Sequence, residues 1–265
     1  MPRKVRTPEE RKRRTKRRIL VYGGLLGCLW GFYVWQPWQY DLFLKPLPNP
    51  HPKIDPDSAQ LFSPGAKVLV VTAHPDDSEF YIGGTLLKMA EAGTYLTQIV
   101  VTDGDKAYYP FEDYEENRKV RLKEQEAASS KWKAHRIDWL GFPDGRVRNT
   151  QELRDALAKA IKGHQPDYIL TFDADFPPRF SHQDHRRTGE AIQQLINEDP
   201  SLCKWLLRFS TRAPNYAVDI SNYWDRKREL LAIHESQFFG ERLKRVTNMV
   251  EDRAIEDAQA IDATY

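Results

Sequence analysis

The chain is 265 residues long, 40% hydrophobic and 29% charged, with a formal net charge of +2. That is enough for one α/β domain with a sizeable core, plus an appendage. Its two cysteines, Cys28 and Cys203, exclude a cysteine-based metal site, so any metal must be held by histidines and carboxylates.

The charge is unevenly spread. Residues 1–18 carry ten Lys/Arg against Glu9 and Glu10, about +8, and the remainder is net acidic. By composition such a tail suits nucleic acid, but the segment that follows argues against a nucleic-acid partner. From Ile19 to Trp35 runs ILVYGGLLGCLWGFYVW, and the stretch continues without a charge to Tyr40. Its length is at the short end for a membrane-spanning helix. Trp30, Tyr33, Trp35, Trp38 and Tyr40 gather at its far end like an interfacial aromatic belt. Leu25–Cys28 loosely imitates a lipoprotein cleavage box, yet the apolar run continues past Cys28 and no A-x-A-like site follows. We therefore expect a basic cytoplasmic tail over 1–18 and an uncleaved transmembrane anchor over 19–40. The positive flank stays inside, which predicts a single-pass membrane protein whose remainder is extracytoplasmic, periplasmic if the source is bacterial.

Residues 41–66 contain Pro46, Pro48, Pro50, Pro52, Pro56 and Pro64 and read as a Pro-rich linker. Beyond it, short runs rich in Val and Ile alternate with helix-like segments. KVLVVTA (67–73), LTQIVVTDG (96–104), IDWLGF (137–142), DYILTF (167–172) and NYAVDI (215–220) are the predicted strands. Helices are expected at about 83–92, 115–133, 150–163, 185–196 and 222–236, and residues 241–265 read as a C-terminal helical tail. The alternation predicts a Rossmann-like α/β domain over 67–240, a parallel sheet with helices on both faces.

In such sheets the ligand sits outside the carboxyl ends of the strands. The polar groups gather at those ends: His74-Pro75-Asp76-Asp77, then TDGDK, then PDG, then DADFPPRFSHQDH. Pro75 stops the strand and turns the chain, so His74 and Asp77, three residues apart, can aim at one point. His182 and His185 repeat that spacing where a helix begins. Neutral imidazoles and a carboxylate suit a zinc-like divalent ion, and three protein ligands leave a position open for water. Asp77 could ligate such an ion while Asp76 points at its water. Each piece has a plainer reading. Asp-Asp after Pro is often a helix N-cap, His-x-x-His a coincidence, and Pro143-Asp144-Gly145 a turn. Two histidine-bearing loops on one rim are what favour a metal site.

AHPDDSEFYIGGTLLKMAEAG resembles the signature of the PIG-L/LmbE family of zinc-dependent N-acetylglucosaminyl deacetylases. VTDGD, RLKE (121–124), WLGFPDG (139–145), PDYILTFDAD (166–175), HQDH (182–185) and VDIS…K…HESQ (218–237) follow in the family's order, over about residues 67–238. The resemblance implies that His74, Asp77 and His185 are metal ligands and that Asp76 is the general base acting on the metal-bound water. It implies that His182 polarises the amide carbonyl or stabilises the tetrahedral oxyanion. The metal so implied is Zn2+, with Fe2+ open to the same ligands. Asp184 is expected to support an adjacent histidine or to cap the following helix. Asp105, Arg121, Asp144 and His234 are candidates for contacting sugar hydroxyls, each with a cap, ion-pair or turn explanation beside it. Ser78 departs from the family, since many members have Glu there; Glu79 follows it. Lys133 stands where a helix-ending Gly is common.

The expected function is a membrane-anchored hydrolase that removes an acetyl group from an N-acetylated amino sugar in a glycolipid or cell-envelope glycan. Tyr108, Tyr109, Phe111 and Arg179 would suit sugar stacking and an acidic glycan. One alternative is a related amidase acting on a different N-acyl or thiol-conjugate substrate. Another is a noncatalytic glycan-binding module, which predicts loss of ligands or base, whereas His74, Asp76, Asp77, His182 and His185 are all present.

Overall fold

The computed structural model describes Glu9, residues 60–106, 113–176, 182–211 and 214–258, and Thr264. The anchor expected at 19–40, all of the basic tail but Glu9, and most of the linker lie outside these residues. Among the described residues no helix is long and apolar enough to cross a membrane. The last residues of the expected linker belong to the folded domain. Leu61 is buried in its core, and the Leu61 carbonyl accepts a hydrogen bond from Thr94 Oγ1 at 2.9 Å.

The elements in chain order are β1 (Lys67–Thr72), α1 (Asp77–Glu91), β2 (Tyr95–Thr102), α2 (Tyr114–Lys131), β3 (Arg136–Phe142) and α3 (Gln151–His164). They continue with β4 (Tyr168–Phe172), α4 (Gln183–Glu198), β5 (Trp205–Phe209), α5 (Trp224–Ile233) and α6 (Gly240–Ala258). The five strands are all parallel, in the order β3-β2-β1-β4-β5.

β1 is the central strand, with a partner on each side and helices over each face, so KVLVVT has no polar face to show. Successive side chains alternate between two apolar layers. Leu69 and Val71 pack with Leu153, Leu157 and Ile161 of α3 and Ile192 of α4. Val68 and Val70 pack with Leu86 and Met89 of α1, Trp132 just past α2, and Leu230 of α5. Each fully buried Leu or Val contributes about 1.5–3 kcal/mol. The two layers therefore fix which helices lie on which face.

Two sequence expectations are corrected. The fifth strand is Trp205–Phe209, not 215–220, where the described residues have no strand. Backbone pairing decides this. Lys204 N and Trp205 N both donate to the Asp167 carbonyl, which starts the β5 ladder against β4. Ile220 instead packs in a third apolar cluster with Trp224 and Val250. Helix α1 begins at Asp77, six residues before the predicted start, and runs through Gly83-Gly84 with a kink at Ile82 (φ −128°, ψ 15°).

The chain lays down β1, β2 and β3 in one direction and then returns to place β4 on the other side of β1. This reversal opens a crevice between the carboxyl ends of β1 and β4. The start of α4 is drawn over that crevice by a close approach at Gly189. A Cβ there would collide with the carbonyl oxygen of Phe172, the last residue of β4.

Candidate active site

The turn after β1 is built by its own carboxylate. Asp77 Oδ2 accepts from the backbone N–H of His74 at 2.8 Å and of Ala73 at 3.1 Å. The other oxygen, Oδ1, lies 3.0 Å from His185 Nε2. Neither acid is the helix cap that an Asp-Asp pair suggests. Asp76 holds the N-cap position of α1 but makes no cap hydrogen bond, and its backbone is left-handed at φ 90°, ψ −23°. That conformation costs a non-glycine residue about 1–2 kcal/mol. Its carboxylate turns instead to Arg121, with Oδ2 at 2.9 Å from Nη2.

His74 stands between two sets of partners. Its Nε2 lies 3.2 Å from Asp144 Oδ1 and 3.3 Å from Asp184 Oδ2. Its Nδ1 lies 3.2 Å from His185 Nε2 and 3.6 Å from Asp77 Oδ2. Carboxylates that hold the Nε2 proton leave the Nδ1 lone pair aimed into the cluster, the usual second layer of a metal-binding histidine. Both acids are themselves anchored. Asp184 Oδ2 and Oδ1 accept from the N–H groups of Gly145 at 2.6 Å and Val147 at 3.1 Å. Asp144 Oδ2 accepts from Lys106 N at 2.9 Å. The loops after β2 and β3 are thus tied to His74.

His185, in the first turn of α4, stacks on Phe172 with ring centroids 4.1 Å apart and planes 2° from parallel. His182 forms the N-cap of α4, its Nδ1 accepting from Asp184 N at 3.2 Å. Its exposed ring meets His74 edge-on, with centroids 4.7 Å apart.

The charges reinforce the geometry. Burial opposes charge on Asp77, but His185 and His74 outweigh it and hold the carboxyl well below the usual range. Burial likewise opposes the His74 imidazolium, but hydrogen bonds with Asp144, Asp184 and Asp77 raise its pKa well above the ordinary value. For Asp76, burial raises the pKa and Asp77 adds to it, while Arg121 opposes. The His182 pKa is lowered to about 4 by desolvation on the side of the ring that packs against His74 and then by positive charge on His74 and His185. It is neutral at neutral pH. Because Nδ1 accepts the Asp184 N–H, the remaining proton sits on Nε2.

The donor set fits a divalent cation. Ligands held about 2.0–2.1 Å from a tetrahedral ion stand about 3.4 Å apart. The approaches among His74 Nδ1, His185 Nε2 and the Asp77 oxygens run from 3.0 to 3.6 Å. His74, His182 and His185 also offer nitrogens within 4.8 Å of one another, as do His74, Asp144 and Asp184 in donor atoms. In the last trio the two carboxylates already accept three backbone N–H bonds. That trio is buried throughout, leaving no open position for a substrate.

Arg121, Asp144 and His234 lie too deep to meet a sugar. Arg121 is 4% exposed and donates to Asp76, the Pro75 carbonyl and the Gly104 carbonyl. Asp144 is 6% exposed and reaches His74, and His234 is fully buried with Nε2 3.2 Å from Glu79 Oε2. Asp184, expected to serve a neighbouring histidine or a cap, serves His74 from 110 residues away. Asp105 is half-buried, and its carbonyl accepts from Asn117 Nδ2 at 2.7 Å. Tyr108, Tyr109, Phe111 and Arg179 lie outside the described residues. Phe172 and Gln125 support the site without a motif of their own in the sequence. One looks like an ordinary strand residue and the other like helix surface.

Fold and site together define a Rossmann-like α/β protein with a His/carboxylate centre where β1 and β4 end. The PIG-L family profile, described as GlcNAc-PI de-N-acetylase, matches residues 69–196. A diacetylchitobiose deacetylase of Thermococcus kodakarensis is 29% identical over 202 residues, 70% of this chain and 75% of that protein. The Escherichia coli protein YaiS, called an uncharacterized deacetylase, is 30% identical over 155 residues, 55% of this chain and 77% of its own length. The solved N,N'-diacetylchitobiose deacetylase from Pyrococcus horikoshii superposes with a TM-score of 0.73 at 26% identity, covering 80% of this chain and 85% of that one. This chain belongs to the PIG-L/LmbE family of deacetylases.

Proposed function

We propose that the protein is a metal-dependent N-deacetylase that hydrolyses the acetamide of an N-acetylated amino sugar. The observation that carries this is the convergence of His74, Asp77 and His185, with the unligated carboxylate of Asp76 one residue from Asp77. His74, Asp77 and His185 would hold the cation. When bound, it would supply a Lewis acid that polarises the amide carbonyl and lowers the pKa of water.

The remaining work falls to the chain. Asp76, oriented by Arg121 and with its proton affinity raised by burial, takes a proton from the attacking water. The water oxygen bonds to the carbonyl carbon, the C–N bond breaks, and the proton passes to the leaving amine. Neutral His182 presents Nε2–H from the solvent side of the cluster, suited to donate to the oxygen that becomes the oxyanion. Relatives named as diacetylchitobiose deacetylases support an N-acetylglucosamine unit as the group acted on, and make N,N'-diacetylchitobiose a suitable assay substrate.

The test is acetate release from N,N'-diacetylchitobiose and N-acetylglucosamine by the metal-loaded protein, set beside Asp76→Asn. We expect release by the wild type and a loss of about 10²–10⁴-fold in the variant. Near-wild-type activity in Asp76→Asn would sink the assigned base.

We further propose that residues 19–40 tether the enzyme to a membrane, with the domain extracytoplasmic and its substrate a glycolipid or envelope glycan. The uncharged run behind a strongly basic tail supports this. A reporter active only in the cytoplasm, fused after Tyr265, should stay silent. Signal from it would reverse the orientation.

A further inference from the structure

Helix α2 carries a buried polar stripe where a helix packed on a sheet ordinarily puts apolar residues. Asn117, Arg121, Gln125 and Ser129 follow one another at four-residue intervals on one face, and all four are buried, Gln125 completely. Arg121 grips the carboxylate of Asp76. Gln125, one turn further on, reaches the same residue by its main chain, with Oε1 2.7 Å from Asp76 N.

The far side of the Gln125 amide is held just as closely. Its Nε2 lies 2.9 Å from Ser129 Oγ and 3.1 Å from Glu79 Oε1. Glu79 is fixed in turn by Trp132 Nε1 at 2.7 Å and His234 Nε2 at 3.2 Å. Only one amide orientation works. A flip would set the NH2 against a backbone N–H and the oxygen against a carboxylate. The residue so held is the one in the left-handed backbone, a conformation that persists only where the surroundings enforce it.

We propose that Gln125 is a positioning residue for the reaction. It pins the Asp76 peptide in the left-handed turn that aims the carboxylate, and the buried Glu79–His234 pair holds Gln125 in place. Arg121 sets the side chain of Asp76 and Gln125 sets its main chain. This rests on Asp76 being the general base.

The first test needs no variant. Hydrogen exchange of the wild-type protein should find the Asp76 amide protected, and free exchange there would overturn the proposal. The second compares Gln125→Met, Asp76→Asn and the double variant, metal-loaded, in acetate release from N,N'-diacetylchitobiose. Gln125→Met should keep wild-type metal content and KM, lose kcat by about 10–100-fold, and exchange the Asp76 amide faster. In the Asp76→Asn background the same change should alter the residual rate by less than about twofold, because its effect runs through Asp76. A kcat near wild type in Gln125→Met, or an equal loss in both backgrounds, would overturn the positioning role. Wild-type activity in Asp76→Asn, or no turnover by the wild type, would sink the catalytic reading instead, and amide exchange would still decide whether Gln125 pins the turn.

Discussion

The two histidine-bearing segments reach the same point by different physics. The turn after β1 is polar and buried: His74 and Asp77 are each less than a tenth exposed, and carboxylates, an arginine and a glutamine hold the turn. The segment entering α4 is held by the backbone bonds of buried Asp184, and also by ring stacking on Phe172 and a helix cap, and His182 is open to solvent. Directional bonds suit the part that aims a proton acceptor and supplies two of the proposed ligands. The α4 segment supplies the third, His185, on a stacked ring, and its exposed His182 suits the side that meets the substrate.

Four measurements would break or sharpen that contrast, from the largest expected effect to the smallest. His182→Ala should lower kcat by about 10²–10³-fold, the loss of one oxyanion donor. Metal content should stay at the wild-type value, while stability should fall by about 1 kcal/mol because the variant loses the N-cap of α4; a fall in bound metal would make His182 a ligand. Gly189→Ala should destabilise the fold by about 3 kcal/mol in urea unfolding, because the new methyl group meets the Phe172 carbonyl.

A third measurement is the pH dependence of the buried turn. For Asp144, burial works toward a higher pKa, but the hydrogen bond and charge of His74, with the Lys106 N–H, bring it down to about 2. Its folded value lies below the unfolded one, so its contribution is complete above pH ~4 and is lost as pH falls through about 2. The loss should total about 2 kcal/mol. Asp144→Asn should flatten the stability curve over that window, and an unchanged slope would refute the pairing. Last, Phe172→Leu should weaken zinc binding by about 1 kcal/mol through the loosened His185 ring, as read by calorimetry. An effect on binding larger than that of Asp184→Asn would invert the comparison.

The sequence made strands β1 to β4 and the rim legible because β1 and β4, buried on both faces, are continuous apolar runs ending in polar loops. It misled at the edge. WLLRF at 205–209 and NYAVDI at 215–220 look alike in composition, and only the ladder with Asp167 and β4 separates them. The roles of Arg121, Asp144 and His234 were also hidden. A buried charge and a rim charge are written with the same letters, and what distinguishes them is the tertiary neighbour. Gln125 left a faint signal: α2 is a long helix with almost no apolar face, which makes sense only if a polar face is what it buries.

The origin of the donors bears on how the protein is made. His74 and His185 come from segments adjacent in space but 111 residues apart in the chain. During synthesis two of the three proposed ligands, His74 and Asp77, leave the ribosome long before His185, and β4 must pair with β1 before they can meet. A nascent chain stopped short of α4 would have no complete set with which to capture a cation. Metal uptake would therefore mark the pairing of β4 with β1 and the arrival of α4, before β5 completes the edge of the sheet.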